Sequence, residues 1–331
     1  MFTKNPLDVA LEYAIAGERE KSKQILLNQP QEDPRVVFNL GWHDLAEGRM
    51  HEGFGKLNAG RWIDAFGSRP LKTDAPIWRG PNPIILLRLE GGLGDQIVNV
   101  RFAKNLSQYG DVIVLCDATL VELFSKVEGV SHAQCECEGI PYHDYWVPGM
   151  SAPFVLNMEY EDLSGEAYLN VSPRKLDGDF KVGLRWSGNP KFEHEQHRKF
   201  DPELMIKLSK MKGATFYSLQ RDSDLQDIDF KDLSSEMKTW EDTASIIKGL
   251  DLVITSDTSV AHCAGALGVE TWMVIPVLPY YLWALPGDTT PWYNSIRLFR
   301  QETYGSWKEP FKNISTELRK KINNRNNQNL S

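Results

Sequence analysis

Residues 250–268 constrain the fold more than any other part of this chain. Leu252, Val253 and Ile254 form a short apolar run of the kind that is typical of a buried parallel strand. Small polar residues follow at Ser256–Ser259, and small residues after them allow a helix to pack closely on a sheet. The segment therefore predicts a strand, a polar turn and a helix.

A helix that begins in this way is a natural anion site, because its first N–H groups have no partner within the helix and its dipole favours negative charge. His262, about one turn into the helix, can add a donor or a positive charge. The same residues also fit an ordinary strand-to-helix turn in which Asp257 is the N-cap and His262 is a satisfied, half-buried histidine. Both interpretations stay open at this point.

Composition narrows the class of protein. With 331 residues, the chain is long enough for two domains and an appendage. Its apolar content of 41% and charged content of 25% are ordinary for a globular protein. The net charge of −8 argues against a general nucleic-acid binder, because no basic excess exists to replace phosphate counterions. We therefore expect no nucleic-acid partner, although a local basic pocket for one nucleotide is compatible with this charge.

The cysteines and the N-terminus bear on location. Cys135 and Cys137 lack the two-residue gap of common zinc knuckles, so a buried or reduced thiol role is expected for them and for Cys116 and Cys263. The N-terminus has no apolar signal core, and no stretch is long enough to span a membrane. These features predict a cytoplasmic protein that does not cross a membrane.

Residues 1–66 are predicted to be helical. Two helix–turn–helix units each turn at a glycine, Gly17 and Gly48, which lie 31 residues apart. That offset is slightly short of the ~34-residue tetratricopeptide (TPR) period, and Leu40-Gly41 and Pro34 stand where that repeat has similar residues. A plain helical extension is the alternative. Two units are too few for a free-standing solenoid, so we expect them to pack on the next domain.

The rest of the chain predicts an α/β fold. A Pro- and Gly-rich connector spans residues 67–83, and strands and helices alternate after it, which indicates doubly wound parallel sheets. The predicted strands are Ile84–Leu89, Val112–Leu115, a strand that begins at Lys181, Thr215–Leu219, Leu252–Ile254 and Thr271–Ile275. We predict two facing Rossmann-like domains at 84–175 and 176–322, with a cleft between them and a frayed tail at 323–331.

The loop Glu90–Gln96 is rich in glycine but lacks the dinucleotide fingerprint. Asp95 follows Gly94 at the start of a helix, where the helix dipole keeps a carboxylate ionised. Such a carboxylate can act as a general base for an acceptor hydroxyl. An N-cap aspartate is the alternative.

A second loop follows the strand that begins at Lys181. Ser187, Gly188 and Asn189 can approach a diphosphate closely. The segment 193–199 then supplies basic side chains that could neutralise a leaving diphosphate, namely His194, His197, Arg198 and Lys199. A solvated charged loop is the alternative. No carboxylate–histidine spacing of a known metal motif occurs there, so a metal site is disfavoured.

Taken together, these segments resemble the TPR-linked, heptosyltransferase-like glycosyltransferases (family 9 relatives), which have the two-domain GT-B fold. The resemblance covers about residues 34–307, and its motifs occur in the family's order. The matching segments are 45–53, Arg61-Trp62, 76–80, 90–95, 182–190, 216–220, 240–247, 250–268 and 291–301.

The resemblance implies roles for individual residues. Asp95 would be the catalytic base, on an acceptor-side loop with Gly92, Gly94 and Gln96. The donor diphosphate would be held by the backbone N–H groups of Thr258, Ser259 and Val260, with Asp257 and His262 beside them. Ser187, Asn189 and Arg198 would complete the phosphate side, and Gln220 would lie near the nucleoside. No metal or other cofactor is expected, because helix N-termini and basic side chains stabilise the leaving nucleoside diphosphate.

The chain departs from the family at two places. Gly91 and Gln96 replace the family's usual Gln and Thr, and Tyr281-Leu-Trp283 stands where a Trp-Arg-Trp cluster is common. The leading hypothesis is a hexosyl- or heptosyltransferase type of enzyme that uses a nucleotide sugar and a glycan or protein acceptor, with the TPR-like helices free to bind a protein partner. The alternatives are a catalytically degenerate binding module and a nucleotide-sugar epimerase on the same fold.

Overall fold

The structure is a computed structural model that describes residues 4–63, 65, 70–80, 83–192, 194–221 and 230–328. These residues form two compact units. Unit 1 comprises Met1–Asn170 together with Leu278–Pro286, and unit 2 comprises Val171–Val277 and Gly287–Ser331. The segment 278–286, which the sequence placed within the domain 176–322, therefore belongs to unit 1. Parts of the predicted connector 67–83, at residues 67–69 and 81–82, lie outside the described residues.

Unit 1 begins with the predicted helices. They are α1 (Pro6–Ile15), α2 (Arg19–Leu27), α3 (Pro34–Ala46) and α4 (Met50–Leu57), followed by a 3₁₀ turn at Asn58–Trp62. The turns within both pairs contain glycines with positive φ, 83° at Gly17 and 85° at Gly48, where a side chain would be strained. The helix–turn–helix organisation is thus confirmed.

Local sequence explains where these helices begin and how they pack. Asn5 and Asp33 accept hydrogen bonds from the first turns of α1 and α3, and proline occupies the first position of each helix. A Cβ atom on Gly41 of α3 would lie 2.8 Å from the carbonyl oxygen of Gly53 in α4. Glycine at this position therefore lets the two helices approach closely.

The sheet of unit 1 has four parallel strands in the order β3-β2-β1-β4. The strands are β1 (Ile84–Arg88), β2 (Asp111–Cys116), β3 (Val130–Cys135) and β4 (Tyr145–Pro148), and the helices are α5 (Leu93–Asn99), α6 (Phe102–Leu106), α7 (Val121–Phe124) and α8 (Ala152–Val155). The predicted strands β1 and β2 are confirmed. The sequence missed β3, in which Ser131, His132 and Gln134 interrupt the apolar pattern, and the short β4.

The sheet of unit 2 has six parallel strands in the order β10-β9-β8-β5-β6-β7. The strands are β5 (Lys181–Arg185), β6 (Thr215–Ser218), β7 (Lys231–Asp232), β8 (Leu252–Ser256), β9 (Thr271–Ile275) and β10 (Ile296–Arg300). The helices are α9 (Glu195–Arg198), α10 (Glu203–Ser209), α11 (Trp240–Lys248), α12 (Ser259–Ala266) and α13 (Lys308–Gln328). All four strands predicted here are confirmed, and every residue of β8 and β9 is buried, as expected for central parallel strands.

The C-terminal helix is longer than predicted. Phe311, Ile314, Leu318 and Ile322 of α13 pack in the core of unit 2. The sequence predicted fraying from residue 323, but α13 continues to Gln328, because no proline or glycine interrupts the polar turns that follow. Residues 329–331 lie outside the described part. Within the described residues, no helix has the length and apolarity that a membrane span requires.

The expectation that all four cysteines are thiols is wrong for one pair. A 3₁₀ turn at Glu136–Glu138 brings the Cα atoms of Cys135 and Cys137 to 5.2 Å, within disulfide range, and the two sulfurs are bonded. Cys116 and Cys263 are free and buried. Burial raises the pKa of the Cys116 thiol to about 12.

The segment 278–286 is fastened to the helices of unit 1. The indole N–H of Trp42 donates to the carbonyl of Pro279 at 3.2 Å, and the Arg19 guanidinium donates to the carbonyl of Ala284 at 3.4 Å. Tyr281 packs edge-on against Phe54, with ring centroids 5.7 Å apart. These contacts join residues more than 200 positions apart in the chain, so neither partner's local sequence predicts them.

Candidate active site

The glycine-rich loop of unit 1 leads from β1 into α5 and holds Asp95 in the first turn of that helix. Gly92 is the N-cap, and the Asp95 Oδ2 atom accepts a hydrogen bond from the Gly92 N–H at 2.9 Å. Asp95 is therefore the third residue of the helix and not its N-cap, which corrects that alternative. Gly91 has φ 74°, and a Cβ atom there would lie 2.8 Å from Oδ2, so this loop requires glycine at position 91.

The second oxygen of Asp95 has a partner that the sequence did not predict. The Tyr280 hydroxyl, on the segment 278–286, donates to Oδ1 at 2.8 Å. Desolvation and the nearby negative charge of Asp95 raise the pKa of Tyr280 well above its usual value. The phenol therefore stays protonated across the physiological range and acts as the donor in this contact.

A buried ion pair anchors the start of the glycine-rich loop. The Arg61 Nε–H donates to Glu90 Oε1 at 2.8 Å, and a second guanidinium nitrogen pairs with Oε2. The side chains are 4% and 0% exposed, so the pair is shielded from water and salt. Arg61 also contacts Asn58 and donates to the Ser151 hydroxyl at 2.7 Å. Asn58 and Ser151 thus hold the Arg61 guanidinium that pairs with Glu90 at the start of the loop.

The remaining predicted residues of this loop have structural partners. Gln96 is buried, and its Oε1 atom accepts from the Asp117 N–H at 2.8 Å, directly after β2. Its amide nitrogen lies 3.4 Å from the Gly91 carbonyl. Gln96 therefore ties the loop to the neighbouring strand end. Gly92 and Gly94 lie beside Asp95, in the N-cap and second helical positions.

A cavity of about 580 Å³ lies in unit 1, a volume in the range of ligand pockets. Asn58 and Ser151, which contact Arg61, form part of its wall. The aromatic residues Trp78, Tyr109 and Phe154 also line it. The cavity therefore shares a hydrogen-bond network with the start of the glycine-rich loop.

In unit 2, α12 begins as the segment 250–268 predicted. Thr258 is the N-cap in an extended conformation, its side chain makes no capping hydrogen bond, and the first turn has no acidic residue. The backbone N–H groups of Ser259 and Val260 have no acceptor within the helix. Because Thr258 is the N-cap, the alternative with Asp257 in that position is wrong. This helix start has the donors and the dipole that bind an anion.

Asp257 and His262 flank this helix start and are buried. The His262 Nδ1 atom and the Tyr293 hydroxyl lie 3.1 Å apart, and their rings meet edge to face. His262 is thus a buried histidine with a hydrogen-bond partner in unit 2, as the structural alternative in the sequence proposed.

The predicted residues Ser187 and Gln220 meet at the ends of β5 and β6. The Gln220 Oε1 atom accepts from the backbone N–H groups of Trp186 and Ser187, at 3.4 and 3.3 Å. Its Nε2 atom donates to the Ser187 hydroxyl at 3.0 Å. Gln220 is 3% exposed, so it braces the loop after β5 from within.

Arg198 is held by a residue that the sequence reasoning missed. Glu195 is 6% exposed and accepts from the Gly188 N–H and the Arg198 Nε–H, both at 2.6 Å. The Arg198 guanidinium also stacks on Phe192, 4.6 Å from the ring centroid. Asn189 is exposed, and its side chain closes a turn by accepting from the Lys191 N–H at 3.0 Å. Glu195 therefore links Gly188 to Arg198.

His197 adds less positive charge to this loop than the sequence suggested. Desolvation, with a smaller contribution from His194, lowers the pKa of His197, and its Nδ1 atom lies 2.9 Å from the Tyr304 hydroxyl. His197 is therefore mainly neutral near pH 7. Lys199 is exposed, and Glu193 lies outside the described residues. Within the described residues, His, Cys, Asp and Glu side chains form no group of three or more that could hold a metal ion.

Some of the site residues that the sequence analysis missed have a local sequence signal, and one has none. Glu90 is the first residue of the loop Glu90–Gln96, and Glu195 lies three residues before Arg198, a helical spacing at which opposite charges meet. Tyr280 lies 185 residues from Asp95, and no local pattern could have paired them.

Comparison with known proteins supports a shared fold. No family model matches the chain. Protein FlbA of Caulobacter vibrioides (strain ATCC 19089 / CIP 103742 / CB 15) is 26% identical over 329 residues, which cover 83% of this chain and 53% of FlbA. The chain thus spans about half the length of this curated relative.

Two solved structures align with this one. A family 9 glycosyl transferase from Veillonella parvula DSM 2008 aligns with a TM-score of 0.51 at 10% identity, covering 68% of this chain and 88% of that protein. The iron-containing dodecameric glycosyltransferase TibC from enterotoxigenic E. coli H10407 aligns with a TM-score of 0.50 at 11% identity, covering 71% and 67%. The chain has a fold similar to that of family 9 glycosyltransferases. At these identities, the likeness concerns the fold alone.

Proposed function

We propose that this protein is a glycosyltransferase that uses a nucleoside-diphosphate sugar and needs no metal. The observation that carries the proposal is the contrast between two helix starts. The start of α12 offers uncapped amides without an acidic residue in its first turn, which suits a diphosphate. The start of α5 holds a carboxylate, which suits a proton acceptor. The shared fold with family 9 glycosyltransferases supports the same assignment.

In the proposed reaction, an acceptor hydroxyl attacks the anomeric carbon of the donor sugar. Its proton passes to the Asp95 carboxylate as the new C–O bond forms. The bond between the anomeric carbon and the diphosphate breaks, and its electron pair leaves with the phosphate oxygen. Negative charge therefore develops on the nucleoside diphosphate, where the N–H groups at the start of α12 and the Arg198 guanidinium would stabilise it.

The acceptor is proposed to bind to unit 1. The cavity of about 580 Å³ and its connection through Arg61 to the loop support this placement. A glycan or a protein segment would present the hydroxyl, and the TPR-like helices α1–α4 would provide a surface for a protein partner. A ligand-binding screen is needed to identify the donor sugar and the nucleoside base.

Ligand binding tests the donor half of the proposal. Purified protein is heated with ADP, GDP, UDP or CMP, and the shift in unfolding temperature is measured. A ligand at about 100 times its Kd should add about 2.7 kcal/mol to the free energy of unfolding. We expect one nucleoside diphosphate to give a selective shift. No shift with any of them would contradict the proposal and favour the binding-module alternative, which needs no donor.

Substitution of the base tests the catalytic half. Asp95→Asn should lower the rate at which nucleoside diphosphate is released from the sugar donor by about 10²–10⁴-fold, because the amide cannot accept the proton. Donor affinity should change less than about twofold, since in the proposed reaction Asp95 contacts the acceptor hydroxyl and not the diphosphate. Asp117→Asn is the matched control, because Asp117 also caps a turn after a strand of unit 1. Unchanged turnover in Asp95→Asn would remove Asp95 from the mechanism.

A further inference from the structure

The hydroxyl of Tyr280 reaches the proposed base from a part of the chain that the sequence assigned to the other domain. It donates to Asp95 Oδ1 at 2.8 Å, while Oδ2 accepts from the Gly92 N–H at 2.9 Å. Each carboxylate oxygen therefore accepts at least one hydrogen bond. Two donors on different oxygens hold the plane of the carboxylate, whereas the Gly92 N–H alone would leave it free to turn about Oδ2.

The segment that carries Tyr280 is itself secured on both sides. Pro279, one residue before Tyr280, accepts from the Trp42 indole, and Tyr281, one residue after it, packs on Phe54 of α4. The phenol is thus delivered from a backbone that is tied to helices α3 and α4. A side chain held in this way loses little additional entropy when it orients another group.

We propose that Tyr280 is a positioning residue for Asp95: its hydrogen bond to Oδ1, together with that of the Gly92 N–H to Oδ2, fixes the orientation of the carboxylate that accepts the proton. The raised pKa of Tyr280 keeps the phenol protonated, so it serves as a donor and does not compete for the proton. The catalytic consequence rests on the proposed function of Asp95, but the hydrogen bond and its effect on the carboxylate do not.

A hydrogen bond to the charged form of an acid stabilises that form. Removal of the Tyr280 hydroxyl should therefore raise the pKa of Asp95. A hydrogen bond to a charged group contributes about 1.5–3 kcal/mol, which corresponds to a rise of about one to two pKa units. A residue that only fills space would leave this pKa unchanged when replaced by phenylalanine.

The test is a titration of the Asp95 carboxyl carbon by NMR in protein labelled with ¹³C at the aspartate carboxyl groups, with Asp95→Asn identifying the resonance. We expect Tyr280→Phe to move the midpoint upward by at least one unit. Tyr142→Phe is the matched control, because Tyr142 donates to Asp144 at 2.9 Å in the same unit but on an exposed surface. It should leave the Asp95 midpoint where it is. An unchanged midpoint in Tyr280→Phe, with an unchanged unfolding temperature, would overturn the proposal.

Activity then separates this inference from the proposed function. With the nucleotide sugar selected by the screen, Tyr280→Phe should lower kcat by about tenfold and shift the acid limb of the pH–rate profile upward, while the KM for the donor stays the same. A shifted Asp95 midpoint in a protein without any turnover would support the positioning role and contradict the transferase. Turnover with a normal acid limb in Tyr280→Phe would support the transferase and contradict the positioning role.

Discussion

The glycine-rich loop of unit 1 and the polar loop of unit 2 have the same position between a strand and a helix, but they differ in the residues at the helix start. Each follows a buried parallel strand and leads into a helix, α5 or α12. In the first loop, the Asp95 side chain returns to the N-cap amide and places a negative charge at the helix start. In the second, Thr258 makes no side-chain cap. The first turn of α5 therefore contains a carboxylate, whereas the first turn of α12 contains no acidic residue.

The two loops also differ in how they are supported. A buried ion pair between Arg61 and Glu90 lies at the start of the first loop. In unit 2, the support concerns the loop that follows β5: the Gln220 and Glu195 side chains accept hydrogen bonds from its backbone N–H groups. In the proposed reaction, the carboxylate of the first loop accepts the proton and the amides of the second bind the diphosphate. Substitutions at defined residues test this difference between the two loops.

The largest expected effect concerns the support of the first loop. Arg61→Met removes one partner of a buried pair and leaves the Glu90 carboxylate without its countercharge. We expect the free energy of unfolding to fall by about 3–5 kcal/mol. Denaturant unfolding followed by tryptophan fluorescence measures this.

The control for Arg61 is an exposed pair in the same unit. Lys104 and Glu128 form an ion pair with side chains 64% and 72% exposed. Lys104→Met should leave the free energy of unfolding nearly unchanged, because water screens such pairs. If both substitutions had equally small effects, the buried pair would not be what holds the first loop.

A smaller effect is expected from removing a single amide at the second loop. Ser259 is the first residue of α12, a position where proline fits and only the N–H is lost. Ser259→Pro should weaken binding of the nucleoside diphosphate selected by the thermal screen by about 10–100-fold, since a hydrogen bond to a charged group contributes about 1.5–3 kcal/mol. Isothermal titration calorimetry measures the change.

Two variants show whether this effect is specific. Ser259→Ala keeps the amide and should bind within about twofold of the natural protein. Leu93→Pro removes the equivalent amide at the first position of α5, where the Asp95 carboxylate already lies. It should leave diphosphate affinity unchanged. Equal losses in Ser259→Pro and Leu93→Pro would abolish the distinction between the two helix starts.

The smallest expected effect is a pH dependence of stability that arises in the helical region of unit 1. Burial, with the charge of Lys23 as a lesser cause, lowers the pKa of His43 from 6.5 to about 4. The folded state thus favours neutral His43, so its contribution to stability is present above pH 6.5 and is lost as the pH falls towards 4. Between pH 7 and pH 5, this loss should be about 1–2 kcal/mol.

Thermal unfolding of His43→Gln at both pH values checks this contribution. Glutamine does not titrate, so the variant should lose less stability on acidification than the natural protein does. His132→Gln, at an exposed position on β3, should lose as much stability between pH 7 and pH 5 as the natural protein does. An equal acid sensitivity in His43→Gln would show that His43 does not cause it.

Much of the fold and part of the site could be predicted from the sequence, because they depend on short-range patterns. Apolar runs marked the buried strands β1, β2, β5, β6, β8 and β9, and Gly17 and Gly48 marked the helix turns. Polar or very short strands such as β3 and β7 gave no such signal, since a neighbouring strand supplies the stabilisation that their own residues lack.

The candidate site shows the same difference between local and long-range features. The sequence by itself determined that a carboxylate stands at the start of α5 and that small polar residues open α12, because position relative to a helix start is a local property. Only the tertiary structure decided that Tyr280 reaches Asp95, that Arg61 neutralises Glu90, and that 278–286 joins unit 1. Those contacts close long loops, and they form only when the packing of whole elements compensates the entropy of bringing distant residues together.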